Sequence, residues 1–123
     1  MPITYVIDRY QQRMITHAIG LVTFHDVNHH LDQEQRDRGL DLAELVDARG
    51  AKTDLMSDQV RRLVQRLAQL IRATPLGPTA IVADDDTLFG MARMFSIFAE
   101  HDGISVEVFR DIDSARRWLE SHV

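Results

Sequence analysis

The run Thr79-Ala80-Ile81-Val82-Ala83 constrains this chain more than any other segment. It is short, favours extended backbone and shows no polar alternation, so both of its faces need cover. A central strand of a parallel sheet, with helices above and below, meets that need. Asp84, Asp85 and Asp86 follow at once. Carboxylates there cap a helix and favour the positive end of its dipole, and the helix runs to about His101 before Gly103. Upstream, Val60, Leu63, Val64, Leu67, Leu70 and Ile71 recur at helical spacing from Ser57 onward. Pro75, Gly77 and Pro78 end that second helix.

The remaining segments complete an alternating order. Residues 3–8 set Ile3, Tyr5 and Ile7 against Thr4, Val6 and Asp8, the period of a half-buried strand. Arg9 to Gln12 is a polar break, and Met14 to Ile19 is a second strand, closed by Gly20. So short a connection predicts an antiparallel hairpin. Thr23-Phe24-His25-Asp26 has the form of a capping box, and the helix it opens reaches about Arg36. Phe24, Val27 and Leu31 are its whole apolar stripe, which predicts loose packing. Leu40 to Val46 is a strand ended by Asp47 and Gly50. Ile104, Val106 and Val108 alternate with polar neighbours, as expected nearer a sheet edge, and Asp111 or Asp113 caps a last helix carrying Ala115, Trp118 and Leu119. The order β-β-α-β-α-β-α-β-α predicts one α/β domain over residues 1–123, with a mixed five-stranded sheet and about four helices.

Composition removes several function classes. The 123 residues include no cysteine, which excludes disulfides, thiolate metal sites and cysteine nucleophiles. A net charge of −5 argues against general nucleic-acid affinity, because phosphate neutralisation needs surplus Lys and Arg. No apolar run is long enough for a transmembrane segment, and the first residues lack the pattern of a signal peptide, so a cytoplasmic location is expected.

Few residues suggest chemistry. His25 and His29 lie one helical turn apart, a spacing that chelates a divalent ion, with Asp26 or His30 nearby. The glutamate of a zinc-protease motif is absent, no further ligand is evident, and a solvated helix face is expected instead. No nucleophile elbow, glycine-rich phosphate loop or carboxylate pair with a reason to differ in pKa is present. The expectation is therefore a protein that is not an enzyme and has no metal or other cofactor. Arg61, Arg62, Arg66 and Arg72 point largely away from their helix's apolar stripe, toward solvent or an acidic partner.

The helix from Asp86 is more informative. Leu88, Met91, Ala92, Phe95, Phe98 and Ala99 share one broad face. Its adaptable side chains, Met91, Met94, Phe95 and Phe98, are candidates for lining an apolar ligand pocket beside the thin first helix, the alternative being plain core. Phe89, Arg93 and Ile97 form a second stripe, either a homodimer face or a strip covered by a neighbouring element.

This order resembles the SpoIIAA-like family of the STAS superfamily, a group of mostly uncharacterised bacterial proteins. Four passages carry the likeness: Ile3-Thr4-Tyr5; Leu45-Val46-Asp47-Ala48-Arg49-Gly50; Ala80 to Asp84 with Phe89 to Phe95; and Val108-Phe109-Arg110-Asp111 with Ala115 to Leu119. The resemblance implies the STAS fold over the whole chain. It also implies two non-catalytic functions. One is an apolar small-molecule or lipid pocket, since the fold is similar to that of CRAL-TRIO lipid carriers. The other is a protein-interaction switch, in which a regulatory partner responds to phosphorylation of a Ser at a helix start, after a strand ending in Asp. Asp47 and Ser57 occupy those places, although Leu55, Met56 and Asp58 stand where the family motif has Asp, Ser and Gly. A plain helix cap is the favoured reading of Ser57 over a phosphorylation site, and Thr53 is a second candidate cap.

Overall fold

The computed structural model describes residues 2–122. The chain runs β1 (Ile3–Asp8), β2 (Arg13–Ala18), β3 (Gly20–Val22), α1 (Phe24–Arg36), β4 (Ala43–Asp47), β5 (Ala51–Thr53), α2 (Ser57–Leu70), β6 (Thr79–Val82), α3 (Asp86–His101), β7 (Val106–Phe109) and α4 (Ile112–Ser121). Five strands form one sheet in the order β1-β2-β4-β6-β7. The β1–β2 hairpin is antiparallel and the other pairs are parallel, so the expected mixed sheet is present. β6 lies inside it and β7 at its edge, as the two sequence patterns require.

The pleat sends alternate side chains to two different layers. Ala43, Leu45, Ala80 and Val82 meet Ala115 and Leu119 of α4 on one side. On the other, Ile81 and Val106 join Leu31 of α1, Leu63 and Leu67 of α2, and Ala99 and Phe95 of α3. Three helices thus share one face and α4 covers the opposite one. The periodic stripe of α2 became core as expected, with Val60, Leu63, Val64 and Leu67 all buried.

Local chemistry accounts for the helix starts. The Thr23 hydroxyl accepts from Asp26 N–H while the Asp26 carboxylate accepts from Thr23 N–H, the reciprocal box that opens α1. The hydrogen bond from Thr23 holds the Asp26 carboxyl below its ordinary pKa. Asp85 caps α3 through Leu88 N–H, and Asp111 caps α4 through Ser114 N–H. Ser57 is not a cap: Met56 holds that position, and the Gln59 side chain reaches back to accept from Met56 N–H. Thr53 does not cap the helix either: its hydroxyl donates to the Val22 carbonyl and accepts from Leu55 N–H, ahead of α2.

The Thr53–Val22 bond belongs to an unforeseen feature. Gly20 turns the chain at φ +77°, conformational space that favours glycine, rather than ending the extended run. β3 then pairs in parallel with β5 as a small second sheet. Three-residue strands carry too little pattern to be read from sequence. Gly77 is needed for another reason: a Cβ there would lie 2.1 Å from the Leu42 carbonyl oxygen. Its absence lets the segment before β6 press against the start of β4, where Gly77 N–H donates to the Leu40 carbonyl at 2.9 Å.

Candidate functional site

Between the sheet and α1, α2 and α3 lies a partly open cavity of about 190 Å³. Leu31, Val60, Leu63, Leu67, Ile81 and Phe95 are among the apolar side chains that line it. Among the described residues no lysine or arginine does. Native interiors are packed closely enough that a void of this size is unusual.

The cavity's polar lining is concentrated on α1 and the facing strands. On α1, Val27, His30, Leu31 and Glu34 follow the i, i+3, i+4, i+7 spacing of one helix face, and all four line the cavity. His30, Leu31 and Glu34 are buried. The stripe expected to be thin is therefore completed by two ionisable residues. Arg66 of α2 further fastens this helix, donating to the Asn28 carbonyl at 3.0 Å and side chain at 2.9 Å and pairing with Asp32. Glu44 comes from β4, on the sheet face that also presents Thr16 from β2 and Thr79 from β6.

These residues meet. His30 Nε2 lies 2.7 Å from Glu34 Oε1 and 2.9 Å from Glu44 Oε2. Thr16 Oγ1 donates to the same Glu44 oxygen at 2.6 Å. The Tyr5 ring stands edge-on to the imidazole, with centroids 5.3 Å apart. Burial alone would lower the His30 pKa, but hydrogen bonds to Glu34 and Glu44, and then their charges, raise it to about 10. Burial, followed by the Glu44 charge, raises Glu34 to about 7. Burial works against ionisation of Glu44 as well, yet His30 and Thr16 hold it below its ordinary value. The three groups titrate as a unit, with His30 and Glu44 charged and the surplus proton drawn to Glu34. His30 Nδ1 is buried without a hydrogen-bond partner among the described residues.

A carboxylate pair driven apart in pKa was not expected from sequence, nor was a role for His30 beyond that of an alternate neighbour to His25 and His29. Both signals were present. Spacing of 27, 30, 31 and 34 puts His30 and Glu34 on the apolar stripe. A glutamate within a strand of a sheet covered on both faces has no solvent to face. His25 and His29 stack outside with ring centroids 6.4 Å apart, and the Asp26 carboxylate is committed to capping.

Of the four pocket candidates, Met91 and Phe95 line the cavity, whereas Met94 and Phe98 do not. α3 is turned so that the small residues Ala92, Ser96 and Ala99, with Leu88, are its buried row. Small residues let the helix seat close to its neighbours, and the bulky ones flank that contact. Phe98 is half-buried beneath the Arg61 guanidinium, 4.8 Å above its ring. The second stripe does not survive whole. Phe89 is half-buried against the core and covered by Arg110 at 3.9 Å, leaving Arg93 and Ile97 exposed. The arginines expected to face solvent are partly occupied within the fold, since Arg62 also stacks on Phe24 at 5.0 Å.

The two switch candidates sit apart in chemistry. Asp47 is paired with Arg49, at 2.9 and 2.8 Å through its two oxygens, which holds its carboxyl below the ordinary range. Ser57 is exposed on the first turn of α2. No helix of the described residues is long and apolar enough to cross a membrane.

Neither a family model nor a curated protein matches the sequence. Among solved structures, the chain is similar to an uncharacterised protein from the DUF3478 family of Shewanella loihica PV-4, described as having a SpoIIAA-like fold. The superposition has a TM-score of 0.62 and covers 95% of this chain and 93% of that one, at 16% sequence identity. At that identity the likeness speaks for architecture alone, and it agrees with the element order and sheet topology above: this chain has a SpoIIAA-like fold.

Proposed function

We propose that the protein is a non-catalytic binding module that holds a small apolar molecule in the cavity beneath α1, α2 and α3. One observation carries this reading, the cavity of about 190 Å³ with its largely aliphatic and aromatic lining. An apolar cavity of roughly 150 Å³ is enough to bind benzene. The volume suits a one-ring or short-chain molecule, such as a monoterpenoid or a short fatty acid, better than a full acyl chain. His30, Glu34, Glu44 and Thr16, which meet at one side, would receive a single polar head.

Native mass spectrometry of gently purified protein, followed by thermal shifts with short fatty acids and monoterpenoids, tests this. Ala92→Phe, which places a ring in the cavity from a buried position on α3, is the control. A retained adduct, or stabilisation lost in Ala92→Phe, supports the reading. Absence of any adduct and of any stabilisation across the panel, in folded protein, overturns it.

A second reading rests on Ser57, exposed where a phosphate would meet the positive end of α2. In that reading the modified helix start, beside Asp58, controls docking of a regulatory protein. It requires that Ser57→Asp alter partner capture relative to Ser57→Ala. Identical capture by the two variants would exclude it.

A further inference from the structure

We infer that His30, Glu34 and Glu44 are ligands for a divalent transition-metal ion at the polar side of the cavity. The inference does not depend on the apolar-ligand reading. Its first support is geometric. One nitrogen and one oxygen from each of two carboxylates lie within 4.8 Å of one another, all on buried residues. Zinc–nitrogen and zinc–oxygen bonds are about 2.1 Å, so two ligands of one ion stand about 3.0 Å apart at octahedral angles and about 3.4 Å at tetrahedral angles. The existing separations of 2.7 and 2.9 Å need to open only slightly to admit an ion. His30 and Glu34 are one turn apart on α1, and Glu44 faces them from β4, so two rigid elements supply the set.

The second support is charge. In the ligating form a neutral imidazole and two carboxylates sum to −2, and among the described residues no lysine or arginine lines the cavity. A divalent ion would balance that charge fully, in place of protons on the same groups. Without one, three buried ionisable groups are a weak device for stability, since apolar residues of similar volume do as well or better. Thr16, donating to Glu44 at 2.6 Å, takes the position of an outer partner that orients a ligating carboxylate. His30 Nδ1 is buried without a hydrogen-bond partner among the described residues, so the outer acceptor that a ligating imidazole ordinarily has on its second nitrogen would be a water or other group in the cavity. The nitrogen and carboxylate donors fit zinc, manganese or ferrous iron rather than a thiolate-preferring ion.

Zinc binding tests this on the full chain, with Co²⁺ absorption reporting coordination and Zn²⁺ competition reporting affinity. One ion per chain is expected. Glu44→Gln should weaken binding by at least about 100-fold, beyond the loss typical of an outer partner. His25→Ala/His29→Ala, which removes the stacked pair on the other side of α1, should leave affinity unchanged. Imidazole ¹⁵N NMR of the unmutated protein keeps the test independent of variant folding: Zn²⁺ should shift the His30 ring nitrogens and not those of His25 or His29. No zinc uptake by folded protein, or uptake that shifts His25 and His29 while sparing His30, would overturn the assignment.

Discussion

Replacing His30 with alanine removes the sole cationic partner that, among the described residues, Glu34 and Glu44 have within the cavity wall. Both carboxylates are buried, and the imidazole lies 2.7 and 2.9 Å from them. Breaking a buried ion pair from one side costs about 3–5 kcal/mol, because the surviving charge is left in a poorly solvating medium. With about 2.1 cal/mol/K of unfolding entropy per residue, a chain of 123 residues has a total near 260 cal/mol/K, so the melting temperature should fall by about 12–19 °C. Calorimetry of metal-free protein at neutral pH measures this directly. The companion is the triple variant His30→Met, Glu34→Leu, Glu44→Met, which removes every charge while keeping volume. It should regain the lost stability and match or exceed the parent. A triple variant as unstable as His30→Ala would refute the reasoning, because it would mean that the polar cluster itself is what holds α1 to the sheet. A single variant that melts within a degree or two of the parent would refute it from the other side.

Three smaller perturbations test the fold. Leu63→Ala, at a position 1% exposed in the middle of α2, should cost about 2–5 kcal/mol, read as a lower urea midpoint at unchanged slope. Thr23→Ala removes the capping box of α1 and should cost about 1 kcal/mol, with faster amide exchange confined to the first turn of that helix. Gly77→Ala sets a methyl group 2.1 Å from a backbone carbonyl that has no flexible side chain to yield. It should destabilise the protein more than Gly90→Ala, where a Cβ meets nothing within 4 Å, and where replacing a helical glycine should stabilise by a few tenths to about 1 kcal/mol.

Elements defined by local chemistry were legible to within a residue or two. The Thr23–Asp26 box and the α2 stripe involve positions three or four apart, so spacing alone exposes them, whereas the α3 cap was narrowed only to Asp84–Asp86 and the α4 cap to Asp111 or Asp113 before the structure selected Asp85 and Asp111. Met94 and Phe98 were misplaced because helical periodicity defines a face only to within its own width. Which edge of that face meets the cavity depends on how α3 rolls over Ala92, Ser96 and Ala99. For Phe89 the two readings, dimer face or covered strip, stayed open because its cover, Arg110, arrives from beyond β7, over twenty residues downstream.

Apolar periodicity and turn chemistry are properties of neighbouring residues, and they were enough to establish the α/β class, the order of elements and the central place of β6. That Glu44 of β4 stands against His30 and Glu34 of α1 follows from long-range packing. Parallel pairing sets the register that turns Glu44 inward beside Thr16 and Thr79, and helix docking supplies the imidazole. Neither is a local property. The cavity is decided last of all, because it is the volume left between elements once each has satisfied its own packing.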